Sequence, residues 1–533
     1  MTRPPSKILV LAIDAASPAL LKRWAADGTL PNIRSLMSRG LVGQTRSVDG
    51  FFIGSTWPSF YTGVTPARHG LHYLVQLEPG TYDFHHMADR GLVRSDPFWI
   101  PLSRAGKRVA VLDVPLTRLD PTVNGIQVVE WGGHDAVFGF QAWPPHIADT
   151  ITAQFAAHPL GPSCDAVGRS AEQYQEFVAR LIDGVRTKTS LTKEFLLHDD
   201  WDFFIQVFTE SHCVGHQCWH LHDERHPAHD PAVAATLGDP LRRIYTAIDT
   251  AIGELLAVAD DAIVVVMTAH GMSYWYGAQF LLPEILIRLG VAQAPRASPR
   301  NHGPRAKAIA VTRWMWHRLP TSLRTGLAPI RQWLRSEGTP RLPTIGVDPA
   351  ASRCFCHNNG LAVGGIRLNL VGREPQGILA PGAEASAFCD SLTADLLEII
   401  DERTGRPLIR RVLKTADLYH GRFLDELPDL LVEWSDEVPT GSTALGNGTG
   451  ALVRARSPKI GVIESSNQYG RTGEHRPGGL FIATGPGIRA ETLEREISIL
   501  DYAPTFAKLL GVDLPQCDGH PIAEFGDAVR KSG

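Results

Sequence analysis

A run of small and hydroxyl residues, Gly54-Ser55-Thr56-Trp57-Pro58-Ser59-Phe60-Tyr61-Thr62-Gly63, is closed by Pro66-Ala67-Arg68-His69-Gly70 and lies between apolar segments. Ser55 or Thr56 followed by Pro58 reads as the first residue of a helix, and the position predicts a hydroxyl that is presented rather than buried. A Ser-Thr pair ahead of a proline is ordinarily a helix cap and nothing more. Other residues give this one a further use. Asp14, His212 with His216, His270 and His475 each stand where a strand-like run ends. Carboxylate and imidazole are ligands for a divalent metal, and a dication beside a hydroxyl lowers its proton affinity enough to make it a nucleophile.

Such residues, spread over more than 460 positions, need a fold that returns the chain to one place. Lys7 to Ile13 is a strand-length apolar run with Asp14 at its carboxyl end, followed by a helical pattern from Pro18 through Trp24. The pattern recurs at Lys107 to Val114, Phe203 to Phe208, Ala262 to Met267 and Gly479 to Ala483, with helical stretches at Ala171 to His198 and Pro240 to Ala259. Alternation of this kind predicts an α/β fold with a mixed, mostly parallel sheet flanked by helices, in which ligands gather beyond the carboxyl ends of the strands. Residues 1–290 and 346–533 read as two parts of one catalytic core. Between them, 291–345 carries ten Arg or Lys against the single acid Glu337, with Trp314, Trp316 and Trp333 interleaved. That insertion could cover an anionic substrate or touch an anionic surface, and a solvated insertion or subunit contact is its plain reading.

Composition limits the partners. Apolar residues make up 44% and charged residues 20%, and 52 basic against 56 acidic residues give a net charge of -4. This excludes wholesale disorder and gives no general attraction to nucleic acid or membrane. No apolar run approaches the roughly 18 residues of a spanning segment, and Ile8 to Ile13 is too short for a secretory signal. Seven cysteines, thinly spread, do not read as a disulfide framework, so a cytoplasmic protein is expected, with a homo-oligomer left open.

The motifs then form a set. Asp14 after a strand, Thr56-Trp57-Pro58 with Thr62-Gly63 and His69-Gly70, His270-Gly271-Met272, and Gly473-Glu474-His475 ahead of Gly479-Leu480-Phe481-Ile482 resemble the type I phosphodiesterase and nucleotide pyrophosphatase family of the alkaline phosphatase superfamily. Ile366-Arg367-Leu368-Asn369-Leu370 through Gly372-Arg373-Glu374-Pro375-Gln376-Gly377 is similar to a stretch of a prokaryotic branch of that family, as is Asp501-Tyr502-Ala503-Pro504-Thr505 with Leu509-Leu510-Gly511. The resemblance runs in order from about residue 7 to 525, skipping the basic insertion. It implies an alkaline-phosphatase-like fold and hydrolysis of phosphate esters through a Thr nucleophile between two metals, usually zinc. Carried over by position, Thr56 is the nucleophile, and Asp14, Thr56, His216, His270 and His475 are metal ligands.

Two positions depart from the family pattern. His212, four residues before His216, stands where the family has Asp, and neutral imidazole can take over that role in a three-histidine zinc site. Ala269 stands where the family has the Asp before His270, and alanine binds nothing. Ligand carboxylates therefore fall from three to one, so one tightly held zinc and a weaker second are expected, with Mn2+ and Mg2+ left open and Glu210 or Glu474 as possible replacements. A sulfatase reading fails, because that branch has a modified Cys at position 56 and an Arg where Phe60 stands. Cys213 with Cys218, and Cys354-x-Cys356-His357, could bind zinc, although cysteines so spaced are ordinarily structural.

The substrate implied is a small phosphorylated molecule rather than a nucleic acid polymer. Ser55, Arg68 and Trp275 are its candidate contacts, with Arg471 and His69 nearby in the same role. A silent relative acting as a binding module, which Ala269 makes a real alternative, would differ in metal content. A transferase would differ in its products when an alcohol is added.

Overall fold

The computed structural model describes residues 7–526 apart from 135, 162, 260, 296–345 and 446–447. The expected cover or anionic contact of the basic insertion thus lies outside the described residues, beyond its first five positions. Nine strands form the central sheet. In chain order they are β1 (Lys7–Ile13), β2 (Leu41–Arg46), β3 (Val109–Leu112), β4 (Gly125–Val129), β5 (Gln141–Trp143), β6 (Phe203–Phe208), β7 (Ala262–Thr268), β10 (Gly478–Thr484) and β11 (Glu491–Ser498). Two further strands, β8 (Gly271–Tyr274) and β9 (Gly473–Arg476), pair as a separate antiparallel ribbon.

The sheet order is β11-β2-β10-β7-β1-β6-β3-β4-β5. Only β10 and β5 run against the rest, so the sheet is mixed and mostly parallel. β1 lies at its centre with Ile13 beside Phe208 of β6 and Ala12 beside Met267 of β7. The continuous apolar runs of these three strands are buried almost throughout, as interior strands with both faces covered require. Because β10 is antiparallel to β7, with Leu480 opposite Thr268, its beginning lies beside the end of β7. Residues just before β10, including His475, therefore meet the same edge as Asp14 after β1 and His270 after β7.

Seven helices carry the remaining argument: α1 (Pro18–Ala26), α2 (Pro31–Arg39), α3 (Thr56–Thr62), α4 (Ala171–His198), α5 (Glu210–His222), α6 (Pro240–Leu256) and α7 (Tyr502–Leu509). Ser170 and Gln173 form a reciprocal cap at the start of α4, which fixes that end where the sequence puts it. α6 packs on both α4 and α5. None of the described helices is long and apolar enough to cross a membrane.

A second, antiparallel sheet is built from Cys354–His357, Val363–Leu368, Ile409–Lys414 and Leu430–Trp434. Within the Ile366-to-Gly377 stretch, Arg367 donates to Glu374 at 2.8 Å and Arg373 to Asp429 at 2.7 Å, which ties the turn after the strand to the sheet. Alternation along Cys354–His357 puts His357 on the opposite face from both sulfurs, so this Cys-x-Cys-His run does not converge on a metal.

Candidate active site

The three histidines expected of one zinc site come together. Donor atoms of His212, His216 and His475 all lie within 4.8 Å of one another, and all three side chains are buried. The sequence puts His212 and His216 at a strand end, whereas they occupy the first two turns of α5, which starts directly after β6. Four residues apart on a helix, they share one face. His475 comes to meet them from β9, with its Nε2 3.2 Å from that of His216. His216 donates from Nδ1 to the Gly473 carbonyl at 2.8 Å, which fixes the tautomer and turns the lone pair of Nε2 toward the cluster. This contact needs glycine on both sides: a Cβ at Gly473 would meet the Gly215 carbonyl oxygen at 2.2 Å, and one at Gly215 would meet Met272 Sδ at 2.0 Å.

His270 stacks on His475 with ring centroids 4.7 Å apart. Asp14 is joined to the group from the other side, since Ser211 of α5 donates to its backbone carbonyl at 2.6 Å. Its carboxylate accepts from the Trp57 indole at 2.9 Å, which ties the start of α3 to the end of β1. Burial holds His212 and His216 well below the usual histidine range, helped by neighbouring imidazoles and by Arg471, and burial alone lowers His270 to about 4. All three are neutral at physiological pH, the state a metal ligand needs. Buried Nδ1 atoms of His212 and His270 have no hydrogen-bond partner among the described residues. An orphaned imidazole nitrogen is costly without a ligand, so this donor set fits a zinc-type cation.

Thr56 opens α3 and Ser55 precedes it, as the sequence predicts. The presented hydroxyl is not what the structure has. Both residues are buried, with Thr56 donating to the Phe52 carbonyl at 2.7 Å and contacting Ser47 Oγ, and Ser55 donating to the Leu71 carbonyl. A buried hydroxyl has to find such partners. Nearby, His69 accepts from the Leu71 N–H through Nδ1, so its proton sits on Nε2 and is donated to Ser59.

Burial lowers His69 and His72 from their ordinary 6.5 to about 3. Unfolded, each would take up a proton near pH 6.5; folded, each resists it. Their contribution to stability is therefore complete above pH 6.5 and is lost as pH falls toward 3. The urea midpoint should fall steadily from pH 6.5 to about pH 4, and a flat profile across that window would contradict this reading.

Neither carboxylate suspected of replacing the missing ligands is placed to do so. Glu210 accepts from His158 Nε2 at 3.0 Å and pairs with Lys188 Nζ at 3.3 Å, deep behind α5. Burial pushes its carboxyl up, but Lys188 and His158 hold it below the usual range. Glu474 alternates with His475 on β9, accepts the His475 N–H at 2.8 Å, and is raised by burial to about 7. It is only partly charged at neutrality.

Lys188 itself is fully buried, bonded to the carbonyls of Gly132 and Val207 and to Thr209, with Asp113 at 3.7 Å. Removing one partner of a buried ionic group strands the other, at a cost of about 3–5 kcal/mol. Lys188→Met should lose about that much stability in urea denaturation. A loss below about 1 kcal/mol would mean the facing carboxylates are already neutral.

Arg471, Asp165 and His134 are at the cluster without being predicted metal-site residues. Arg471 reaches His216 Nε2 at 3.3 Å and pairs with Asp165 at 2.8 Å. The His134 ring lies 4.0 Å from that of His212. Trp275 donates its backbone N–H to the Thr472 carbonyl, and Thr472 in turn donates to the His216 carbonyl, while Arg68 faces a different cavity. Arg68 pairs with Asp518 on a cavity of about 720 Å3 that adjoins Thr62, the far end of α3 from Thr56. Trp275 follows β8 and stacks on Tyr469 at 5.5 Å.

The α/β sheet thus brings buried imidazoles and a carboxylate to the carboxyl edge of its strands, where a mostly parallel sheet places its site. The chain belongs to the type I phosphodiesterase / nucleotide pyrophosphatase family, whose family model matches residues 8–281, just over half of it. That makes it a member of a family of phosphoric ester hydrolases. Among solved structures it is similar to phosphonoacetate hydrolase from Sinorhizobium meliloti 1021 in complex with phosphonoformate, with 17% identity, TM-score 0.48, and 100% of this chain and 96% of that one covered. It is also similar to human ectonucleotide pyrophosphatase/phosphodiesterase 5, with 11% identity, TM-score 0.47, and 98% and 99% covered. No curated protein matches the chain.

Proposed function

We propose that the protein hydrolyses small phosphate esters with Thr56 as nucleophile and with His212, His216 and His475 holding one zinc ion. The observation that carries this reading is the buried three-histidine cluster in a chain of this family. When bound, a dication supplies Lewis-acid stabilisation of charge on phosphorus and lowers the proton affinity of an attacking hydroxyl. The protein's own residues do the rest. Thr56 Oγ1 forms the new bond to phosphorus as the ester bond to the leaving group breaks, and its proton, held at rest by the Phe52 carbonyl, passes through water to the departing alkoxide, which leaves as the alcohol. The phosphothreonine is then hydrolysed by water. Asp14 and His270 are ligands of a second, weaker cation, since Ala269 has removed its other carboxylate. Arg471, beside His216, neutralises anionic oxygens of the substrate.

Metal analysis of the purified protein, followed by assay against p-nitrophenyl phosphate and its bis diester, tests the reading. Zinc-dependent release of nitrophenol that His216→Ala abolishes is the expected result. Zinc-replete protein that turns over neither ester would mark a silent relative. Phosphorylation of an added alcohol in preference to water would mark a transferase.

A further inference from the structure

The charge deficit left by Ala269 and His212 has an answer in residues that the phosphoesterase reading does not use. His134 lies in the loop after β4, Cys164 in the stretch ahead of α4, and Cys213 on α5 directly after His212. The three converge although 79 residues separate the first from the last. Cys164 Sγ lies 3.1 Å and Cys213 Sγ 3.3 Å from the same atom, His134 Nδ1. Cys164 is 2% exposed and Cys213 fully buried, and neither is in a disulfide. Donor atoms of His134, Cys213 and His212 lie within 4.8 Å of one another, so the group adjoins the three-histidine cluster through His212.

We propose that His134, Cys164 and Cys213 form a thiolate-rich site for zinc, or a comparably soft divalent cation, set against the three-histidine cluster. Two sulfurs and an imidazole nitrogen are a donor set that selects zinc, and His212 is the adjoining nitrogen donor. Bonds of about 2.3 Å to sulfur and 2.0–2.1 Å to nitrogen put tetrahedral donors about 3.6 Å apart, so the observed 3.1 and 3.3 Å need only open by a few tenths of an ångström. On binding, both S–H bonds break and two protons go to solvent; the Arg471 guanidinium, 3.5 Å from His134 Nε2, has to move aside as that nitrogen takes the imidazole proton and frees Nδ1 for the cation. Two thiolates then balance the charge of the dication. The histidine cluster, with no carboxylate of its own, cannot do this without an anionic ligand. A cation at the thiolate site is therefore held whether or not a phosphate ester is present, and the inference does not depend on Thr56 or on hydrolysis.

The test uses full-length protein stripped by chelation and reloaded with Co2+ under reducing conditions. A near-ultraviolet sulfur-to-cobalt charge-transfer band is expected, lost in both Cys164→Ser and Cys213→Ser and kept in His216→Ala. X-ray absorption of the unmutated zinc protein should show sulfur scatterers at about 2.3 Å, which needs no variant to fold. Bound cobalt showing only the visible bands of nitrogen and oxygen ligands, a charge-transfer band that survives Cys164→Ser, or zinc with no sulfur neighbour would each overturn the proposal. Any of those results leaves the histidine cluster and Thr56 chemistry to stand or fall on the ester assay.

Discussion

Thr56→Ala should reduce turnover of a confirmed phosphoester substrate by on the order of 10⁴-fold or more, the scale seen when a nucleophile is removed and binding and electrostatic stabilisation remain. The fold should survive, because the change removes one hydroxyl and one methyl from a helix start whose other residues are packed. Thr56→Ser keeps the hydroxyl but loses the methyl that restricts χ1, so it should retain part of the rate. Ser55 is the other hydroxyl at this helix start, and like Thr56 it donates to a backbone carbonyl, that of Leu71, so the family position and not hydrogen bonding sets Thr56 apart. Ser55→Ala should therefore cost stability of about 1 kcal/mol and leave most of the turnover. Acid quenching during turnover, followed by peptide mass spectrometry, should find phosphate on Thr56. Wild-type rates from Thr56→Ala, or phosphate on Ser55, would end the assignment.

Much of the scaffold for this chemistry was legible in the residues. β1 and β6 begin and end where their apolar runs do, as does α4, because a continuous apolar stretch bounded by polar residues and a capped helix are local signals. The motifs named Asp14, His216, His270 and His475; Asp14 and His270 follow strands of the central sheet, whereas His216 meets His475 from the helix that follows β6. What escaped was set by packing. Thr56 is buried rather than presented, since the chain from Ser47 to Phe52 folds over it. Cys213 was weighed with Cys218, its near neighbour on the same helix, but burial pushes Cys218 up to about 12, and the sulfur of Cys213 meets His134 and Cys164 instead. His134 and Cys164 lie in irregular segments, where no periodicity reports which side chains face each other. Glu210 was offered as a replacement carboxylate, yet two residues on a helix are about 200° apart, so it faces away from His212 and turns toward Lys188.

Ala269 is the position where one carboxylate should change metal affinity and substrate choice together. It is fully buried between the end of β7 and His270. In Ala269→Asp a new carboxylate would be buried there without a cation, and an unpaired buried charge is destabilising by several kcal/mol. The stripped variant should therefore melt below the stripped wild type. Added zinc or Mn2+ should recover more stability in the variant than in the wild type, because only the variant gains a metal site whose charge the fold already contains. After the same mild chelation, the variant should retain more metal than the wild type, approaching one further equivalent. That increment should leave the sulfur-to-cobalt band unchanged, since its ligands would be Asp14, His270 and the new carboxylate rather than the thiolates. Substrate preference should move toward monoanionic diesters, because a dianionic monoester would no longer be needed to supply the oxygens that neutralise the second cation. Equal metal retention in the two proteins, with no recovery of melting temperature on adding metal, would show that Asp14 and His270 do not form a metal site.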